Sequence, residues 1–169
     1  MKERGFQDFS WDAVETVLLD MDGTLLDKYF DDYFWEHLLP EEYARKYSLD
    51  IREARHRLLS RFVTNAHYKT LDLKLKKNEI GKYFDSVICA FDIGLPKEDS
   101  AFWEKAAKII RFNKETTMLV DDTENVLLSA RAYGIRYLIL KARPSSRGEL
   151  RTSEQFPAIT YFKELIRDD

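Results

Sequence analysis

Val14 to Leu19 is a mostly apolar run that stops abruptly at Asp20-Met21-Asp22-Gly23. Apolar along its length and acidic at its end, it reads as a buried parallel strand delivering polar groups to the carboxyl edge of a sheet. The pattern recurs at Thr117 to Val120, which runs straight into Asp121-Asp122. Val87 to Ala90 and Ile135 to Leu140 read as further strands, and Arg61 to Val63, before Thr64-Asn65, as a shorter one.

Helical patterns lie between these runs. His67 to Ile80 puts Leu71, Leu75 and Ile80 near one face and Lys74, Lys76 and Lys77 toward solvent. Ser100 is placed to cap a helix carrying Phe102, Trp103, Ala106, Ala107 and Ile110. Thr123 to Tyr133 is apolar at Val126, Leu127, Ala130 and Tyr133, with Gly134 as its terminator. Tyr33 to Tyr47, Ile51 to Leu59 and a short closing stretch, Thr160 to Arg167, are also helical in pattern. Strands alternating with helices predict an α/β fold with a central parallel sheet.

At 169 residues the chain fits one domain, 1–169, with enough length to bury a core. Its net charge is −3 and its basic residues are scattered, which argues against a nucleic-acid polymer as partner. Cys89, the only cysteine, rules out an internal disulfide and sits in an apolar run, so a buried structural thiol is expected. The first eight residues lack an apolar signal core, and no stretch approaches the ~20 apolar residues of a membrane span. A cytoplasmic protein is the default expectation. Oligomeric state is not written in the sequence.

The strand ends carry the chemistry, because ligands of open α/β sheets bind outside the carboxyl ends of the strands. Here those ends hold Asp20, Asp22, Thr64, Asn65, Asp121 and Asp122, with Lys97 in a nearby loop. Carboxylates gathered in one place repel by several kcal/mol even at an effective dielectric of about 20. A hard divalent cation relieves that repulsion, and Mg2+ prefers carboxylate oxygens and often bridges to substrate phosphate. Lys97 adds a compact positive charge suited to a phosphoryl group. Acids, a cation and one lysine suit phosphoryl transfer, where stabilising charge is most of the work.

Asp20-Met21-Asp22-Gly23-Thr24-Leu25, directly after its strand, resembles the first signature of haloacid-dehalogenase-like (HAD) phosphatases. Thr64, Lys97 in Gly94-Leu95-Pro96-Lys97, and Asp121-Asp122 follow in that family's order, so the resemblance covers roughly Val14 to Leu140. It implies a Rossmann-like three-layer sandwich with a cap inserted after the first motif. It also implies Asp20 as nucleophile forming an aspartyl phosphate and Asp22 as general acid, then general base. Mg2+ is then held by Asp20, the Asp22 backbone carbonyl and Asp122, with Asp121 direct or through water. Thr64, Asn65 and Lys97 hold the phosphoryl oxygens. His37, His56 and His67 have no ligand-like spacing.

Finer runs, including Phe30-Asp31-Asp32-Tyr33-Phe34-Trp35 and Thr64-Asn65-Ala66-His67, are similar to the bacterial GMP/IMP 5′-nucleotidase branch. That likeness implies a purine nucleoside monophosphate as substrate. Phe30, Tyr33 and Trp35 then offer either a stacking surface for the base or packing for the following helix. Only Leu25 to Val63 separates the first two motifs, room for about two helices. Residues 28–60 are therefore expected to be the remnant of a reduced helical cap, with on the order of 50 residues absent near Leu59 to Arg61. The alternatives are a phosphatase of other specificity, for sugar or macromolecular phosphates, and an inactive HAD-like binding module. A receiver-type domain has its acidic pair first rather than late, and a dinucleotide oxidoreductase lacks its Gly-x-Gly-x-x-Gly.

Overall fold

The computed structural model describes residues 9–59 and 80–166. Four parallel strands form one sheet in sequential order: β1 (Thr16–Leu19), β2 (Thr117–Asp121), β3 (Tyr137–Lys141) and β4 (Ala158–Ile159). The α/β expectation with a central parallel sheet is met. Helices α1 (Lys28–Tyr33), α2 (Leu39–Tyr47) and α3 (Ile51–Leu59) follow β1, with a π-helical turn, Phe34–Leu38, joining the first two. Then come α4 (Ala90–Ile93), α5 (Ser100–Ile110) and, between β2 and β3, α6 (Glu124–Tyr133).

The period-2 geometry of β2 divides the core. Leu119, with Leu138 and Leu140 of β3, packs beneath α5 and α6 against Phe102, Trp103, Val126, Leu127 and Ala130. Met118 and Val120 point the other way, toward Ile139, Ile159 and Leu165. Buried on both faces, β2 is the apolar centre of the sheet, as its unbroken hydrophobic run requires. β1 lies at the edge among the described residues, and Val17 is 42% exposed there. Leu127 is fully buried at the α6 contact. Leu127→Ala is expected to cost about 2–5 kcal/mol in urea unfolding, and a loss below about 1 kcal/mol would contradict this packing.

Several expectations change. Val87 to Ala90 is not a strand; Cys89 is extended and α4 begins at Ala90, stopped by Gly94 at φ +72. A four-residue apolar run supports either reading, and Cys89 and Ile93 bury themselves here through a helical turn. Cys89 is buried, as expected. Asp99, rather than Ser100, caps α5, its carboxylate accepting from Ala101 N at 2.9 Å. Ala158–Ile159, for which no element was expected, extends the sheet by pairing with the edge of β3. In place of the expected Thr160 to Arg167 helix, the described residues after it form a single 3-10 turn, Phe162–Leu165, with Glu164 accepting from Thr160 N and Tyr161 N. The expected Arg61 to Val63 strand, the body of the His67 to Ile80 helix, Thr64, Asn65, His67 and the junction at Ser60 lie outside the described residues.

Candidate active site

Register brings the two acidic strand ends together. Thr16 to Leu19 pair with Thr117 to Val120, and Asp20 N extends the ladder by donating to Val120 O at 3.0 Å. Asp20 and Asp121 therefore leave adjacent strands at nearly the same level. Asp122 follows at once, and one carboxylate oxygen from each of the three lies within 4.8 Å of the others. The Asp22 carboxylate is not part of that group. Its backbone forms the turn after β1, where Asp22 bridges to Leu26 and Gly23 N donates to Leu26 O at 2.8 Å.

Gly23 has φ +97, and a Cβ there would sit 2.8 Å from the Asp122 carboxyl carbon. A side chain at this position is thus excluded twice, by backbone conformation and by the approach of Asp122. Gly23→Ala should lower the melting temperature and weaken Mg2+ binding about tenfold or more by displacing Asp122; unchanged calorimetric Mg2+ affinity would refute that coupling.

Lys97 bridges two members of the cluster. Its ammonium donates to Asp20 Oδ1 and, at 2.7 Å, to Asp121 Oδ2. Burial works against this charge, but Asp121 and Asp20 outweigh it and hold the ammonium above the ordinary lysine range. Asp121 is 1% exposed; burial pushes its carboxyl up to about 6, with Asp20 adding to the shift and Lys97 opposing it. Its other oxygen accepts from Thr123 N at 2.9 Å. Asp122 is raised as well, first by burial and then by Asp20.

Three features of the surroundings carry no signature in the sequence. Ser129 Oγ, buried in α6, donates to the Lys97 carbonyl and accepts from Trp103 Nε1 at 2.8 Å, which pins the lysine loop to the α5–α6 pair. Arg151 reaches back across 29 residues to donate to both the carbonyl (2.9 Å) and Oδ2 (3.2 Å) of Asp122. The loop after β3 docks on the start of α1: Lys28 N donates to Pro144 O, and Asp27 accepts from Ser146 N. Those bonds to Ser146 hold the Asp27 carboxyl below its usual range. Arg147 also stacks on Tyr29 at 4.1 Å, beginning a ladder through Tyr33 of α1 to His37 of the π-helical turn. The side chains of Phe30 and Trp35 lie outside the described residues.

Three hard oxygen donors from two strand ends, two of them deeply buried, suit a divalent cation. Burial is the first cause of the upward shifts of Asp121 and Asp122, and the neighbouring Asp20 adds to both. Bonded to two of these carboxylates, the Lys97 ammonium offers a fixed positive charge at the carboxyl edge of the sheet. The arrangement suits a divalent cation beside an anionic ligand. Among the described residues no helix is long and apolar enough to cross a membrane.

The family model described as "Haloacid dehalogenase-like hydrolase" matches residues 50–140, a span that includes Lys97, Asp121 and Asp122. Two curated proteins, the GMP/IMP nucleotidases YrfG of Escherichia coli (strain K12) and of Shigella flexneri, are each 26% identical over 213 aligned positions. Each alignment covers 93% of this chain and 96% of the relative. The aligned share of 169 residues is about 157, so roughly 56 of the 213 positions are filled by the relative alone.

Proposed function

The chain belongs to the haloacid dehalogenase-like hydrolase family, and from that premise we propose that it is a Mg2+-dependent phosphomonoester hydrolase acting through an aspartyl phosphate. The convergence of Asp20, Asp121 and Asp122 around one point, with Lys97 set between the first two, carries this reading. Asp20, Asp121 and Asp122 would hold Mg2+, together with the backbone carbonyl of Asp22. When bound, the ion offsets the carboxylates' charge and polarises the phosphoryl oxygens.

The protein's own groups divide the reaction into two steps. An Asp20 carboxylate oxygen attacks phosphorus, the bond to the ester oxygen breaks, and Asp22 gives that leaving oxygen its proton. Water then attacks the phosphorus of the aspartyl phosphate while Asp22 takes a proton from it, releasing inorganic phosphate and restoring Asp20. Lys97 holds a phosphoryl oxygen throughout, with Thr64 and the backbone N–H of Asn65 proposed as its partners.

Purine nucleoside monophosphates, GMP and IMP, are the proposed substrates. The likeness to two GMP/IMP nucleotidases over most of both chains supports this choice. Residues 28–60, which include α1 to α3, serve as the reduced cap. The shortfall of roughly 56 aligned positions favours one competing reading, a more open site acting on a larger phosphate ester.

Steady-state rates across nucleoside monophosphates, sugar phosphates and phosphopeptides separate the two. The expected result is kcat/KM for GMP and IMP about tenfold or more above the rest, with activity lost in EDTA and restored by Mg2+. Equal rates across the panel would refute the nucleotidase choice, and full activity in EDTA would refute the metal.

A further inference from the structure

A second cleft, of about 380 Å³, opens beside the turn that follows β1, and none of Asp20, Asp22, Lys97, Asp121 or Asp122 lines it. Three segments wall it: the turn itself, the end of β3 with the loop beyond, and the residues after β4. Leu25, Leu26, Pro144 and Phe162 give it apolar sides, and its volume is that of a small-molecule pocket.

Its polar lining is unusual. Lys141, at the carboxyl end of β3, is only 8% exposed. The ammonium donates to Arg143 O at 2.8 Å, and among the described residues no carboxylate lies within ion-pair distance of it. Burial lowers its pKa; Glu164, Asp122 and Asp27 oppose that only through space, and Arg143 adds to it. Two further wall residues carry buried polar atoms without a hydrogen-bond partner, Thr24 Oγ1 and Arg143 Nε. Buried charges are ordinarily paired and buried polar atoms satisfied. The largely buried Lys141 and the two unpartnered polar atoms line one cleft of mixed polar and apolar wall, which also holds the Asp27 carboxylate, itself bonded to Ser146 N.

We infer that this cleft binds a small organic anion, a phosphate or carboxylate carried on an apolar or aromatic body, with Lys141 as its counter-charge. The site stands apart from the hydrolase reading, because no residue of the proposed reaction contributes to it. Gly23 and Thr24 form part of its wall, so an occupant touches the turn on which Asp22 is mounted.

Calorimetric titration of the full chain in EDTA tests this, with phenylphosphonate and phenylacetate as probes. Neither is a phosphate ester, and the pair distinguishes a phosphate-like from a carboxylate head group. At least one probe should bind the native chain and Lys97→Met alike, and bind Lys141→Met about tenfold or more weakly. Met matches Lys in bulk, so Lys141→Met should melt at or above the native temperature, as expected where an unpaired buried charge is kept for a ligand. No binding of either probe at about 10 mM, unchanged binding to Lys141→Met, or loss in Lys97→Met alone would overturn the site. A clear fall in the melting temperature of Lys141→Met would overturn it too, since Lys141 would then be a structural donor to Arg143 O.

Discussion

Asp20→Asn is expected to abolish phosphate ester hydrolysis, lowering kcat by at least about 10³-fold while leaving the fold intact. The amide has nearly the shape of the carboxylate but lacks the charged oxygen that attacks phosphorus. Asp20 sits at the end of β1, outside the apolar core, and its backbone bond to Val120 O does not depend on the side chain. Its removal takes one negative charge from beside Asp121 and Asp122 but also one partner from Lys97. These effects oppose each other, so the melting temperature should move by only a few degrees. Circular dichroism and thermal melting check the fold, and single-turnover assays check the chemistry. Turnover within tenfold of the native rate would end the covalent mechanism, whatever the substrate.

Lys97→Met should be both inactive and less stable, and the loss of stability should be greatest without Mg2+. Lys97 is the direct ionic partner of Asp20 and of the nearly fully buried Asp121. Truncating one member of a buried pair strands the other charge, at about 3–5 kcal/mol in fully buried cases. Lys97 is partly open to solvent, so about 2–3 kcal/mol is the expected cost, or roughly 5–10 °C of melting temperature. Added Mg2+ should restore more stability to this variant than to the native chain, since the ion replaces the missing charge. Equal Mg2+-induced shifts in the two proteins would contradict a shared role for lysine and ion. Hydrolysis should fall at least about 100-fold, because Lys97 also holds a phosphoryl oxygen in the proposed reaction.

The same cluster sets a pH trend for the native chain in EDTA. The Asp121 carboxyl is raised from 3.8 to about 6 in the fold. Protonation therefore favours the folded state, and this contribution is fully present below pH 3.8 and is lost as pH rises through about 6. Urea midpoints measured in EDTA should carry that component, and Asp121→Asn should remove it. An unchanged pH profile in Asp121→Asn would contradict the shift.

Several features of this protein were legible one segment at a time. The apolar run into Asp20 became β1, and Thr117 to Val120 became the buried centre of the sheet. Gly134 ends α6 at φ +106, and Gly23 proved to be a close backbone approach. Each depends on the polarity period or turn chemistry of a few neighbouring residues, which the chain carries locally. Val87 to Ala90 failed for the complementary reason, because a short apolar run becomes strand or helix according to the neighbours it meets.

Distance along the chain marks where that legibility stops. Lys97 meets Asp20 across 77 residues, and Arg151 meets Asp122 across 29. The meeting of Asp20 with Asp122 requires the register of β1 on β2, and a shift of one residue would turn the acidic ends to opposite faces. Ser129 behind Lys97 and Lys141 in its cleft have no local pattern to announce them; packing of α5 on α6 and closure of the loop after β3 bring them there. Local polarity thus determined which residues end strands and which are buried, while long-range packing alone decided which of those groups face one another.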